Sequence, residues 1–306
     1  MKNLGNTKII GIDHGYGNIK TENCCFSTGV TSCEKEPTFK ENLLVWNGMY
    51  YLIGEEHKEF TAEKMLDDDY YVLTLAAIAR ELNIAKTDSA DVFIAAGLPL
   101  TWVCEQKDEF KMYLLQHDTV DYSFKGKEYH VRFIGADVYA QGYAAVINHI
   151  GEFAGMNMLC DIGNGTMNVM TITDKKVNNQ KCFTEKYGTY QCMLAIRESM
   201  MRMHHAAIDD SIITRTLRFG TADIDGEYLK TIRDSATEYV ERIFRKLREH
   251  EYDPRLMRLY VVGGGGCLIK KFGSYDESRV TIDDDICATA KGYERMLEMK
   301  LLRSGG

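Results

Sequence analysis

The pattern that most limits what this chain can fold into occurs twice. Residues 9–20 read IIGIDHGYGNIK, and residues 156–170 read MNMLCDIGNGTMNVM before continuing as TITDKKVNNQKCFTE. Each copy opens as an apolar run and reaches an acid, Asp13 or Asp161. Each then breaks into two glycines spaced by one residue, Gly15 and Gly17 or Gly163 and Gly165. Such a run predicts a buried strand, and the glycines permit a tight hairpin whose backbone amides can point at an anion. The two copies are too far apart for a solenoid, so they predict a pair of related domains, each starting with strand, acid and Gly turn. A third turn follows a Val-rich strand in LYVVGGGG, at Gly263, Gly264, Gly265 and Gly266. Each glycine costs backbone entropy, so a run of four predicts a close approach to that backbone.

A chain of 306 residues is long enough for two domains with separate cores. Its 45% hydrophobic and 27% charged residues are those of a soluble globular protein, with no long apolar run and no signal-peptide layout, so a cytoplasmic location is expected. The formal charge of -8, from 37 basic against 45 acidic residues, argues against direct DNA binding. The basic stretch RIFRKLR at 242–248 reads as a solvated helix face. Nine scattered cysteines without CxxC pairing read as reduced core residues, and zinc is not expected.

The coarse pattern is mixed α/β. A strand over 7–13 leads into the first hairpin, and NLLVWNGMYYLIGEE (42–56) predicts a second hairpin turning at Asn47-Gly48. Helical spacing follows at 67–83, with acids in its first turn, then a buried strand at 91–100, a helix at 107–116 and a strand pair at 121–134. Asp137 is read as the cap of a helix over about 139–150. Helices fill most of 189–250; the Met-rich MLAIRESMMRMHH (193–205) reads as flexible core.

The paired turns suit a polyphosphate. "GIDHGYG" fits neither a P-loop nor a dinucleotide fingerprint. Two Asp-Gly hairpins facing each other across a cleft could instead clamp phosphates between their amides. Because carboxylates repel phosphate, a hydrated Mg²⁺ would stand between, held by Asp13 and Asp161 through water. The four glycines would lie against the nucleoside.

These stretches resemble, in order, the first phosphate, second phosphate and adenosine motifs of the actin, sugar kinase and seventy-kilodalton chaperone ATPase fold. GADVYAQGYAAVI resembles the first connecting helix of that fold and ICATAKGYERM (286–296) the closing helix of actin-like proteins. Within the superfamily, GNIK and IAAGLPLTW are most similar to the bacterial plasmid segregation ATPases of the ParM type.

The resemblance implies an actin-like α/β fold of two related domains, each with a mixed five-stranded sheet and flanking helices around a nucleotide cleft. Domain I would cover 1–154, with a small β insertion near 35–60, a connecting helix at 139–152 and residues 286–306 returning to it. Domain II would cover 155–285, with a helical subdomain at about 186–250 and the adenosine loop at 261–267.

The resemblance also implies roles. Backbone of Gly15, Tyr16, Gly17 and Asn18 and of Gly163, Asn164, Gly165 and Thr166 would cradle phosphates, with Lys20 reaching between them. Gln141 would position the attacking water, Asn168 could orient it, and Gly188 would border the nucleoside opposite the glycine run. The substrate would be ATP or GTP. An amide orients water but is a poor general base, so hydrolysis should be slow. The implied function is a filament-forming NTPase that segregates plasmid DNA through a DNA-binding adaptor on a centromere-like site, without direct DNA or membrane contact. The alternatives are a sugar or acid kinase of the same fold, which lacks a convincing further catalytic Asp, and a membrane-tethered scaffold, which lacks an amphipathic anchor at 1–8 or 298–306.

Overall fold

The computed structural model describes residues 1–54 and 68–304. Expectations for Glu55 and Glu56, for the insertion beyond residue 54, for Asp67 and for the closing Gly305-Gly306 lie outside the described residues. The chain divides into two compact units, one of residues 1–148 and 287–306, the other of residues 149–286.

In the first unit the strands are β1 (Lys2–Leu4), β2 (Thr7–His14), β3 (Asn18–Lys20), β4 (Cys25–Ser27), β5 (Val30–Cys33), β6 (Leu43–Trp46) and β7 (Met49–Ile53). Helix α1 (Asp69–Ile84) precedes β8 (Ser89–Leu98), α2 (Leu100–Leu114), β9 (Thr119–Phe124) and β10 (Lys127–Ala140). The second unit has β11 (Met156–Ile162), β12 (Met167–Thr173), β13 (Lys176–Glu185), α3 (Thr189–His204), α4 (Asp210–Phe219), α5 (Gly226–Glu249), β14 (Arg258–Val262), α6 (Gly266–Phe272) and β15 (Val280–Ile282). Helix α7 (Ala288–Ser304) returns to the first unit.

The two units repeat one pattern of pairing, each in its own sheet. In the second, the order β13-β12-β11-β14-β15 has two antiparallel pairings followed by two parallel ones. In the first, β4-β3-β2-β8-β10 repeats that sequence of pairings. The expected five-stranded sheet is therefore the whole sheet of one unit and half of the other's, because β9, β6, β7 and β5 continue beyond β10 and β1 pairs with β2, giving ten strands. The added β6–β7 hairpin turns on Asn47 (φ 57° is found nearby at Asn42; here φ is 49°) and Gly48 (φ 75°), as the Asn-Gly pair predicts.

Burial follows from where each element lies. Helix α1 is apolar nearly all round, and Tyr70 to Ala79 are buried throughout. Helix α5 instead buries one stripe, Ile232, Ala236, Tyr239, Val240, Ile243 and Leu247, and starts at Asp225, whose carboxylate accepts from the Glu227 and Tyr228 amides. Helix α7 packs on β2 through Tyr293 and Leu297, which cluster with Ile9, Ala95 and Ala144.

Four local expectations are corrected. Residues 139–152 form no connecting helix: β10 runs on through Ala140, paired with Leu98, and only short 3₁₀ turns follow at Ala144–Val146 and Ile150–Glu152. Gly142 and Gly151 both weaken helix in that span. Asp137 lies within β10 and caps nothing there; its buried carboxylate meets Lys300 at 2.6 Å and Lys107 at 3.2 Å, and these cations hold its pKa low against the effect of burial. In the Met-rich stretch Met200 is core, whereas Met201 and Met203 are exposed. Of the cysteines, only Cys160, Cys192 and Cys287 are buried.

Candidate functional site

The first hairpin is set by strand pairing. Asp13 lies opposite Lys20 and His14 opposite Ile19, so residues 15–18 form a four-residue loop. Asp13 is almost wholly buried, and its two oxygens are shared: Lys20 Nζ donates to Oδ2 at 3.5 Å and Gln141 Nε2 to Oδ1 at 3.3 Å. Gln141 arrives by the continuation of β10, its own amide donating to the Leu98 carbonyl at 2.9 Å. Gln141, distant in sequence, is thus brought onto the Asp13–Lys20 pair of the hairpin. No described residue donates to Gln141 Oε1, so the side chain offers a hydrogen-bond acceptor. The loop is held from behind by Thr28, whose hydroxyl donates to the Tyr16 carbonyl at 2.8 Å and whose amide donates to that of Gly17 at 3.3 Å. The Tyr16 ring is buried, which pushes its phenol pKa up, so what Tyr16 can give a ligand is backbone.

The second hairpin has the same frame. Asp161 lies opposite Asn168 and Ile162 opposite Met167, leaving residues 163–166 as the loop, closed by the Gly163 amide on the Thr166 carbonyl at 2.8 Å. Behind it stands the start of α3. The Thr189 amide donates to the Gly163 carbonyl at 3.1 Å and the Tyr190 amide to that of Asn164 at 2.9 Å, while the Thr189 hydroxyl holds Asn164 Oδ1 at 3.0 Å. In a planar trans peptide the C=O and the following N–H point opposite ways. With those two carbonyls turned to α3, the Asn164 and Gly165 amides point away from it, and no described residue accepts from them. That is the arrangement an anion-binding loop requires. Gly188 permits the close seat of α3, since a methyl group there would fall 2.1 Å from the Asn164 carbonyl oxygen.

The glycine run divides into packing and opening. Gly263 has φ +85°, and a methyl group on it would lie 2.5 Å from Asp161 Oδ1. Gly265 donates its amide to the Ile162 carbonyl at 2.8 Å and has the Ile162 side chain where its own Cβ would be. Gly264 alone of these faces open space, with nothing within 4 Å of a built Cβ; the Cβ of Gly266 would have neighbours no nearer than 3.1 Å. The run therefore locks against the Asp161 strand at two positions and leaves Gly264 open.

Asn168 is buried, and its Oδ1 accepts from the Thr184 hydroxyl at 2.8 Å. Sequence reasoning missed Thr184, as it missed Thr28 and Thr189. Asp13 and Asp161 are the buried carboxylates of the two hairpins, and among the described residues no group of three or more His, Cys, Asp or Glu could hold an ion by itself. Single carboxylates fit a hard ion that keeps most of its water, which is how Mg²⁺ is commonly held.

Residues 11–143 match the family "Actin like proteins N terminal domain" and residues 159–272 the family "Archaeal actin homologue MreB-like, C-terminal". No curated protein sequence matches. Among solved structures, the chain is similar to the apo pSK41 ParM protein, with 15% identity, TM-score 0.73, and 99% of this chain and 100% of that one covered. It is similar to Alp12 in its filament structure, with 16% identity, TM-score 0.70 and coverage of 97% and 99%. It is also similar to Bacillus thuringiensis ParM with ATP, with 13% identity, TM-score 0.72 and coverage of 97% and 100%. Among the described residues, no helix is long and apolar enough to cross a membrane.

Proposed function

Because the chain belongs to the actin-like proteins, with both of its units matched along most of their length, we propose that it is a nucleoside triphosphatase whose nucleotide state controls its assembly into filaments. The observation that carries this reading is the recurrence of one hairpin: strand, buried acid one residue before the closing pair, and a four-residue Gly loop. A single such loop is a common turn. Two in the same ladder position, one with a lysine and a glutamine on its acid and the other beside an open glycine, make a set suited to phosphate and nucleoside.

The residues divide the work. Loop amides at 15–18 and 163–166 hold phosphate oxygens, and Lys20 leaves Asp13 to neutralise charge gathering on the terminal phosphate. Asp13 and Asp161 would hold Mg²⁺ through its waters, and the ion would supply charge neutralisation of the phosphates. Gln141 orients the attacking water through Oε1. Gly264 borders the nucleoside of ATP or GTP, with Gly188 setting the helix on its other side. Neighbours in the fold include a ParM with ATP and a filament of Alp12, which supports assembly with bound triphosphate. In this reading the triphosphate stabilises the polymerising state, hydrolysis weakens it, and plasmid DNA is moved through a DNA-binding adaptor, as the acidic chain requires.

The test is right-angle light scattering of the full chain with Mg²⁺ and ATP, GTP or their diphosphates, together with phosphate release. A rise above a threshold protein concentration with a triphosphate, decaying as phosphate appears, is expected. Turnover that begins only when a sugar or acid acceptor is added would instead identify a small-molecule kinase.

A further inference from the structure

The outward amides of the second hairpin depend on the seat of α3, and that seat is held from α5. Gly188 is the N-cap of α3, in extended backbone. Its amide donates to Gln191 Oε1 at 3.0 Å, so the helix closes that end of the residue itself. Its carbonyl is closed from outside: the Tyr239 hydroxyl donates to it at 2.8 Å, whereas the helix's own donor, the Cys192 amide, stands at 3.5 Å. A carbonyl can only accept, so the sense of the Tyr239 bond is fixed. Tyr239 is 3% exposed, and burial pushes its phenol pKa up, so the hydroxyl keeps its proton.

The Gly188 carbonyl and the Thr189 amide belong to one planar peptide and point opposite ways. Tyr239 holds one side of that peptide, and the Gly163 carbonyl accepts from its other side at 3.1 Å. The Gly163 carbonyl in turn shares a peptide with the Asn164 amide, which faces away from α3. A single chain of bonds therefore runs from the Tyr239 hydroxyl through two peptides to the Asn164 amide. Each bond in such a chain polarises the next, which makes the last N–H a better donor to an anion. Every member lies within residues 149–286, so the relay is complete inside one unit.

We propose that Tyr239 is a positioning residue for the phosphate-binding loop of the second hairpin, clamping the Gly188–Thr189 peptide and through it the Gly163–Asn164 peptide so that the Asn164 amide is held outward. This rests on the nucleotide-binding reading above and adds to it a residue from α5 that touches no part of the loop directly. Without the clamp the loop has to be ordered when the ligand binds, so the loss should be read in affinity.

The experiment compares the full-length wild type with Tyr239→Phe, which keeps the ring and its packing 5.9 Å from the Tyr187 ring and removes only the hydroxyl. Hydrogen exchange without nucleotide, read by NMR, should show the Thr189 and Tyr190 amides exchanging about tenfold faster in the variant, with the later amides of α3 unchanged. Affinity for a fluorescent ATP or GTP analogue with Mg²⁺ should weaken about fivefold, while turnover at saturation stays near the wild-type value. Tyr187→Phe, the same deletion one residue before Gly188, should match the wild type in exchange. The proposal is overturned if Tyr239→Phe lowers the denaturation midpoint but leaves those two amides and the affinity as they were, which is what a packing role alone would give. It also falls by itself if the wild type binds a triphosphate and the variant binds it equally tightly. If the wild type binds neither triphosphate, the nucleotide reading falls and takes the proposal with it, a result told apart by the unmutated control.

Discussion

The hairpin of the first unit and the hairpin of the second are one backbone device with different side chains across the ladder. Both close after a four-residue loop, and both bury an acid one residue before the closing pair. Opposite the acid, the first has Lys20 and the second Asn168. The parallel neighbour differs as well: β8 ends at Leu98 and passes through Pro99 straight into α2, whereas β14 ends in the glycine run. The hydrogen-bonded frame thus fixes the loop, and in the function proposed above the cross-strand partner and the neighbouring strand end would decide what each hairpin does with a phosphate. One carries a lysine and a glutamine on its acid, the other a neutral amide opposite its acid and an open glycine on the neighbouring strand end.

The sharpest way to break this comparison is to remove the acids. Asp161→Ala should lower Mg²⁺-dependent turnover at least about a hundredfold, and Asp13→Ala should do the same if the hairpins share one duty. Phosphate release measures both, and normal hydrolysis in either variant would sink the equivalence. A smaller effect separates the glycines. Gly263→Ala meets both a positive φ and the Asp161 carboxylate, and should cost roughly 2–4 kcal/mol of stability by chemical denaturation. Gly264→Ala, with open space around it, should fold as the wild type does and lose nucleotide affinity instead. If the two glycines behaved alike, the division of the run into packing and opening would be wrong.

A third effect concerns how β2 is braced. Glu294 of α7 is fully buried and accepts from the Gly11 amide at 2.9 Å, with the Met1 ammonium at 3.0 Å; Glu22 and Glu81 also face that ammonium. Burial raises the Glu294 pKa to about 7, against the pull of the ammonium. A carboxyl whose folded pKa lies above its unfolded value binds its proton more tightly in the fold. Its contribution is therefore largest at acid pH and is lost as pH rises from about 4.5 to about 7, with a slope of at most about 1.4 kcal/mol per pH unit. Denaturation of the wild type and of Glu294→Gln across that range should show the slope only in the wild type. The strand of the second hairpin is braced by backbone, through the Gly265 amide on the Ile162 carbonyl, and is not subject to that titration.

The parts of this arrangement that follow local pattern were legible in the sequence. Apolar run, acid and spaced glycines define the hairpins, the Asn-Gly turn and the long helices follow their own local pattern, and the α7 segment is readable from its resemblance to the closing helix of actin-like proteins. What escaped depends on distant pairing. Residues after Asp137 look helical by composition, yet pairing with β8 keeps them extended as far as Ala140. Thr184 shows why register defeats counting. From the turn after Thr173, pairing runs Thr173 with Lys176, Ile172 with Val177 and Thr171 with Asn178, which would set Lys181 opposite Asn168. An irregularity between Met170 and Thr171 sets Thr184 there instead, and nothing in KVNNQKCFTE announces it. Glu294 escaped for the same reason, since its partner amide belongs to Gly11, at the other end of the chain.

The equal length of the two loops has an engineering consequence. Gly-Tyr-Gly-Asn and Gly-Asn-Gly-Thr span the same closing geometry, so each is a cassette that could be transplanted onto the other's strands without shifting a ladder by one rung. A chain carrying the same cassette twice would keep the closing rungs and have to repack what the exchanged side chains touch, the buried Tyr16 ring in one loop and the Thr189 hydroxyl on Asn164 in the other.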